Sequence, residues 1–162
     1  MTIIVAICSV IATLFTLYYI VTCFLGVIIR RRRDIPAAPA TRRIAAVIAA
    51  RNEAAVIGQL VSSLMAQDYP KELFDVYVIP NNCDDDTEAV AAAAGAKILR
   101  VDGPIHSKGD VLRGAFGQLT ATGKYDAYCV FDADNLADKG FFQATNDALA
   151  AGWQAAQGYR DS

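Results

Sequence analysis

From Met1 to Ile29 the chain carries no charged side chain, and Arg30-Arg31-Arg32-Arg33 follows at once. No other feature narrows the possible folds as sharply. Taken as a helix rising about 1.5 Å per residue, Ile3 to Ile29 reaches roughly 40 Å, more than a hydrocarbon core of about 30 Å requires. A cleaved secretory signal has its positive charge before a shorter apolar run and small residues after it. Here the charge comes after and the run is too long. Residues 1–30 therefore read as an uncleaved transmembrane anchor, with the lipid bilayer as a partner. Arginines on its C-terminal flank place everything beyond Arg30 in the cytoplasm, so the chain is expected in the cell membrane with a single visible N-terminal pass.

Charge is divided along the rest of the chain. Residues 30–43 carry six Arg against one Asp, whereas residues 44–162 carry nine Lys and Arg against sixteen Asp and Glu. The basic stretch suits anionic lipid headgroups. The acidic remainder lacks the basic face of a nucleic-acid binder, and that class is excluded. Cys8 and Cys23 lie in the anchor while Cys83 and Cys129 lie far apart beyond it, without metal-ligand spacing. In a reducing compartment all four read as free thiols. A length of 162 residues accommodates one domain with an appendage. Residues 31–43 form a basic juxtamembrane linker, extended by the two prolines of Asp34–Thr41, and residues 44–162 form the domain.

Within the domain, apolar runs alternate with segments of helical periodicity. Ile44–Ala50 is continuously apolar, as a strand buried on both faces should be. Glu53–Ala66 has Val56, Leu60 and Leu64 at helical spacing. Strands are expected at Phe74–Ile79, Lys97–Val101, Ala127–Phe131 and Trp153–Gln157. Helices are expected at Asp86–Ala94, closed by Gly95, at Lys108–Leu119 behind a Ser107-x-x-Asp110 capping box, and at Lys139–Ala150. Such alternation implies βαβ units, a mainly parallel sheet and helices on both faces.

The polar residues gather where strands end. Arg51-Asn52-Glu53 follows the first strand, Asn81 to Thr87 the second, and Asp132-Ala133-Asp134-Asn135 the fourth, all toward the C-terminal edge where open α/β sheets bind ligands. Because side chains alternate along a strand, Asp132 and Asp134 can point the same way. Two hard oxygen donors suit Mg²⁺ or Mn²⁺, especially a cation that a diphosphate also binds. The pair is weak evidence alone, since Asp84 and Asp86 repeat the spacing, and one Asp of 84–86 can simply cap the next helix. Lys108 and Arg113 add positive charge near a helix N-terminus, which suits an anion. His106, with no Ser or Cys motif beside it, reads as a loop residue rather than a catalytic base.

These residues, in this order, resemble the donor-binding half of a family 2 inverting glycosyltransferase of GT-A fold. The resemblance runs from about Arg43 to Ser162. Val47–Glu53 is similar to that family's opening strand and Asn-Glu turn, and Val78–Thr87 to its second strand and acidic loop. Lys108-Gly109-x-x-Leu112-Arg113 resembles its Lys-Gly helix start, and Phe131–Asn135 its Asp-x-Asp segment. The resemblance implies transfer of a sugar from a nucleoside diphosphate donor to a lipid or polysaccharide acceptor, with Mg²⁺ or Mn²⁺ as cofactor. It implies that Arg51 and Glu53 line the nucleoside pocket, Asn81 contacts the base and Lys108 lies near the base or diphosphate. Asp132 would face the ribose or the metal, and Asp134 would ligate the metal.

Three departures stand out. Ala49 replaces a frequent Pro and Asn81 a frequent Asp, which alters base recognition. The family's general base and its Gln-x-x-Arg-Trp-type segment are expected beyond Ser162, so no catalytic base is assigned within the chain. Two other readings compete. One is a membrane-tethered nucleotide-sugar-binding module without activity. The other is a haloacid dehalogenase-type phosphatase with Asp132 as nucleophile, although Asn135 does not fit it.

Overall fold

The structure, a computed structural model, describes residues 2–29, 35–103 and 105–159. It falls into two compact units that divide between Asp34 and Ile35. The basic run Arg30–Arg33 and Asp34, and with them the start of the linker, lie outside the described residues.

The first unit holds one helix, α1 (Thr2–Ile29). Its Ile3–Gly26 stretch is long and apolar enough to cross a membrane, and none of it is buried. The hydroxyls of Thr13, Thr16 and Thr22 donate to the carbonyls of Ser9, Ala12 and Tyr18 at 2.8–2.9 Å. Bonding of this kind satisfies polar side chains where water is absent.

The second unit is a four-stranded parallel sheet flanked by helices. In chain order its elements are β1 (Ile44–Ala50), α2 (Ile57–Met65), β2 (Phe74–Pro80), α3 (Thr87–Ala93), β3 (Lys97–Ile98), α4 (Lys108–Ala121), β4 (Ala127–Phe131) and α5 (Phe141–Ala150). A single 3₁₀ turn, Lys71–Leu73, leads into β2. The strand order is β3-β2-β1-β4, and every pairing is parallel. The order reverses between β1 and β4, the type of switch point at which such sheets bind ligands.

β1 is central, and its side chains alternate between two cores. Ile44, Ala46, Ile48 and Ala50 face a layer containing Ile57, Leu60 and Leu64 of α2 and Phe142 of α5. Ala45 and Val47 face Val111, Ala115 and Leu119 of α4. Burial of both faces, complete except at Ala49, explains the unbroken apolar run of this strand.

Three elements differ from the sequence expectation. Regular helix begins at Ile57, because residues 53–56 form a turn whose Glu53 and Ala54 N–H groups bond across to Thr87 Oγ1 and Asp85 Oδ2. β3 ends at Ile98 because the chain then leaves the sheet for α4: the Arg100 carbonyl accepts from Gln118 Nε2 at 2.9 Å. Residues 153–157 are not a strand. Gly152, at φ 88°, ends α5 with a turn in which Trp153 N–H bonds back to the Ala148 carbonyl at 3.0 Å. That bond commits the chain to a helix C-cap instead of a sheet ladder. Gly95, at φ 102°, closes α3 in the expected way, with Ala96 N–H on the Ala91 carbonyl at 3.1 Å.

The segment before β1 is held against α5. Asn146, 1% exposed, accepts from Thr41 N–H at 3.2 Å and donates to the Pro39 carbonyl at 3.1 Å. Asp147 accepts from Ala38 N–H at 2.9 Å, and this bond leads the causes that hold its carboxyl below the ordinary value.

Candidate functional site

A cavity of about 520 Å³ opens at the C-terminal edge of the sheet, at the β1/β4 switch point. Four segments line it. The turn after β1 contributes Arg51 and Glu53, and the turn after β2 contributes Asn81 and Asn82. The approach to α4 supplies His106, Ser107 and Lys108, and the turn after β4 supplies Asp132 and Asp134. Arg51, Glu53, Asn81, Lys108, Asp132 and Asp134, all singled out in the sequence, therefore share one cavity. Three further polar residues that line it were not singled out as ligand contacts: Asn82, His106 and Ser107.

The turns after β1 and β2 are bonded to each other. Asn52 Oδ1 accepts from Asp84 N–H at 2.8 Å, Thr87 Oγ1 from Glu53 N–H at 2.8 Å, and Asp85 Oδ2 from Ala54 N–H at 3.1 Å. Asn52 and Asn82 have φ values of 55° and 49°, a left-handed conformation that Asn tolerates better than most residues. The acidic run thus divides by role. Asp85 braces the loops, and the Thr87 hydroxyl leads the bonds that lower its carboxyl's pKa. Asp84 and Asp86 do not line the cavity, so the second Asp-x-Asp pair is not part of the site.

On the opposite wall, Ala133 is buried while Asp132 and Asp134 on either side are exposed. This is the alternation expected as a strand runs out of its sheet. Lys108 Nζ, from the first turn of α4, makes an ion pair with the Asp132 carboxylate. The capping box sets that turn. Ser107 Oγ accepts from Asp110 N–H at 3.2 Å and donates to Asp110 Oδ2 at 2.9 Å. Asp110 Oδ2 also accepts from His106 N–H at 3.2 Å. The Ser107 hydroxyl, followed by the His106 N–H, holds the Asp110 carboxyl below its ordinary pKa. Arg113 pairs with Asp110 at 3.6 Å and does not reach the cavity wall.

Two features bear on a ligand. Asn81 Oδ1 is buried without a hydrogen-bond partner among the described residues, and a buried acceptor of this kind is costly unless a donor arrives. Among the described residues, no cluster of three or more His, Cys, Asp or Glu is placed to hold a metal ion by itself. Asp132 and Asp134 are a two-carboxylate donor set. That suits an octahedral cation whose remaining positions go to water and phosphate oxygens.

Known proteins share this sequence pattern and this fold. The model of the family "Glycosyltransferase like family 2" matches residues 39–162. Beta-monoglucosyldiacylglycerol synthase of Synechocystis is 31% identical over 98 residues, covering 57% of this chain and 20% of that protein. The mannosyltransferase PcManGT of Pyrobaculum calidifontis, solved with GDP-Man and Mn²⁺, superposes with a TM-score of 0.63 at 18% identity, over 83% of this chain and 39% of that one. TarS of S. aureus, residues 1–349 with UDP, gives 0.53 at 21% identity, over 67% of this chain and 31% of that one. These superpositions establish the GT-A fold, and the chain spans only 20–39% of the length of these relatives. The family match decides against the phosphatase reading. With its model satisfied from residue 39 to residue 162, this chain belongs to glycosyltransferase family 2.

Proposed function

We propose that the chain forms the donor half of an inverting glycosyltransferase, binding a nucleoside diphosphate sugar together with Mg²⁺ or Mn²⁺ in the cavity at the switch point. The observation that carries this reading is the convergence of four separate turns on one cavity, two of them bearing carboxylates and one a lysine. Arg51 and Glu53 take the nucleoside, and Asn81 presents its unpaired Oδ1 to an N–H on the base. Lys108 sits beside the diphosphate, with the N–H groups at the start of α4 adding to the attraction. Asp132 faces the ribose or the cation while pairing with Lys108, and Asp134 ligates the cation. When bound, the cation offsets the negative charge that gathers on the departing nucleoside diphosphate.

The acceptor is proposed to be a membrane lipid. The Synechocystis relative is named for a glucosyldiacylglycerol product, and α1 is suited to holding the chain at a bilayer, with its domain on the cytoplasmic side. No described residue is assigned the acceptor's general base.

Titration calorimetry of the chain in detergent, using UDP-glucose and GDP-mannose with and without Mn²⁺, tests the donor site. Binding of at least one nucleotide sugar should require the cation and should be lost in Asp134→Ala. Equal affinity in Asp134→Ala and the unaltered chain would refute the assignment.

A further inference from the structure

We propose that His106 is a donor-contacting residue whose protonated imidazole pairs with the diphosphate of the nucleotide sugar, so that donor affinity rises as pH falls. The inference rests on the donor-site reading above and adds a residue and a pH dependence to it. His106 lines the cavity next to Ser107 and Lys108. Its backbone is fixed by the bond from its N–H to Asp110 Oδ2, so its place on the wall is part of the capping box. Its side chain is exposed and has no hydrogen-bond or ion-pair partner among the described residues. An imidazolium on this wall has an evident role. Lys108 already spends charge on Asp132, and a diphosphate carries more negative charge than one shared lysine neutralises.

The groups around it shape the expectation. On the adjoining first turn of α4 stand Lys108 and Asp110; Asp132 and Asp134 from the β4 turn, and Arg51 and Glu53 from the β1 turn, line the same cavity. Lysine, arginine and carboxylates do not ordinarily change charge between pH 6 and 8, whereas histidine does. The chain has one histidine. The phosphates of a nucleotide sugar, being esterified on both sides, do not change charge in that interval either.

The test is calorimetry of the full chain in detergent with UDP-glucose or GDP-mannose and Mn²⁺, from pH 6 to pH 8. Affinity should fall by roughly fivefold across the interval, the size of a half-exposed charge contact. His106→Gln should bind at every pH with the affinity that the unaltered chain shows at pH 8. His106→Lys should hold the pH 6 affinity throughout. An unchanged pH profile in His106→Gln would overturn the inference while leaving the donor site intact. Absence of nucleotide-sugar binding at every pH would overturn both.

Discussion

At the scale of single residues, Asp75 shows how neighbours rather than burial decide the state of a group. Its side chain is 15% exposed at the start of β2, between Lys97 at 2.6 Å and Lys124 at 2.5 Å, with the Tyr125 hydroxyl donating to it. Burial alone raises its pKa, but the bonds from Lys124, Lys97 and Tyr125 outweigh that and hold it at about 2. The Asp75 contact also pushes Lys97 upward, while partial burial, followed by the bond to Asp75, raises the Tyr125 hydroxyl. A carboxyl depressed in the folded state stabilises the fold above its unfolded pKa, and loses that contribution as pH falls from about 4 to about 2. Asp75→Asn should therefore lower stability at pH 7 by about 1–2 kcal/mol, allowing for solvent screening, and flatten the acid loss between pH 4 and 2. Urea unfolding at the two pH values reads both effects; an unchanged acid limb would contradict the assignment. The residues of the cavity were largely legible because Arg51, Glu53, Asn81, Asp132 and Asp134 each follow an apolar strand. His106 was passed over because a lone loop histidine has no periodic signal. Only the capping box, once folded, shows which wall it joins.

At the scale of elements, legibility tracked how local the determining forces are. β1 was recognisable from an apolar run that only a doubly covered strand tolerates, and α4 from its Ser107–Asp110 box. β3 and the segment at 153–157 were overextended because their fate depends on competing hydrogen bonds. Gln118 captures the Arg100 carbonyl, and the turn at Gly152 captures the Trp153 N–H. α4 also fits closely against the chain leaving β3. A Cβ on Gly114 would lie 2.1 Å from Val101 Cγ1, so the close approach of helix and chain depends on glycine there. The proposed role of α1, a membrane anchor, rests on composition. Its exposed apolar surface and internally bonded threonines suit lipid on every side. The chain is expected to stay in the membrane fraction after an alkaline carbonate wash, and its release into the supernatant would refute the anchor.

At the scale of the whole molecule, the parallel order β3-β2-β1-β4 converts residues far apart in sequence into neighbours. Arg51 and Asp134 are separated by most of the domain, yet each follows a strand whose C-terminal end opens on the same cavity. The chain alternates strand and helix clearly enough to read this convergence in advance. The bonds that fasten the first two turns together, through Asn52, Asp85 and Thr87, emerge only in three dimensions. The account stands on those four turns acting together on one ligand. Hydrogen–deuterium exchange of the full chain, with and without nucleotide sugar and Mn²⁺, measures this directly. Exchange should slow together in the segments around residues 49–53, 81–82, 105–111 and 132–134, with little change in α5 and β3. Protection confined to one of these segments, or centred on β4 and α5 away from the cavity, would contradict it.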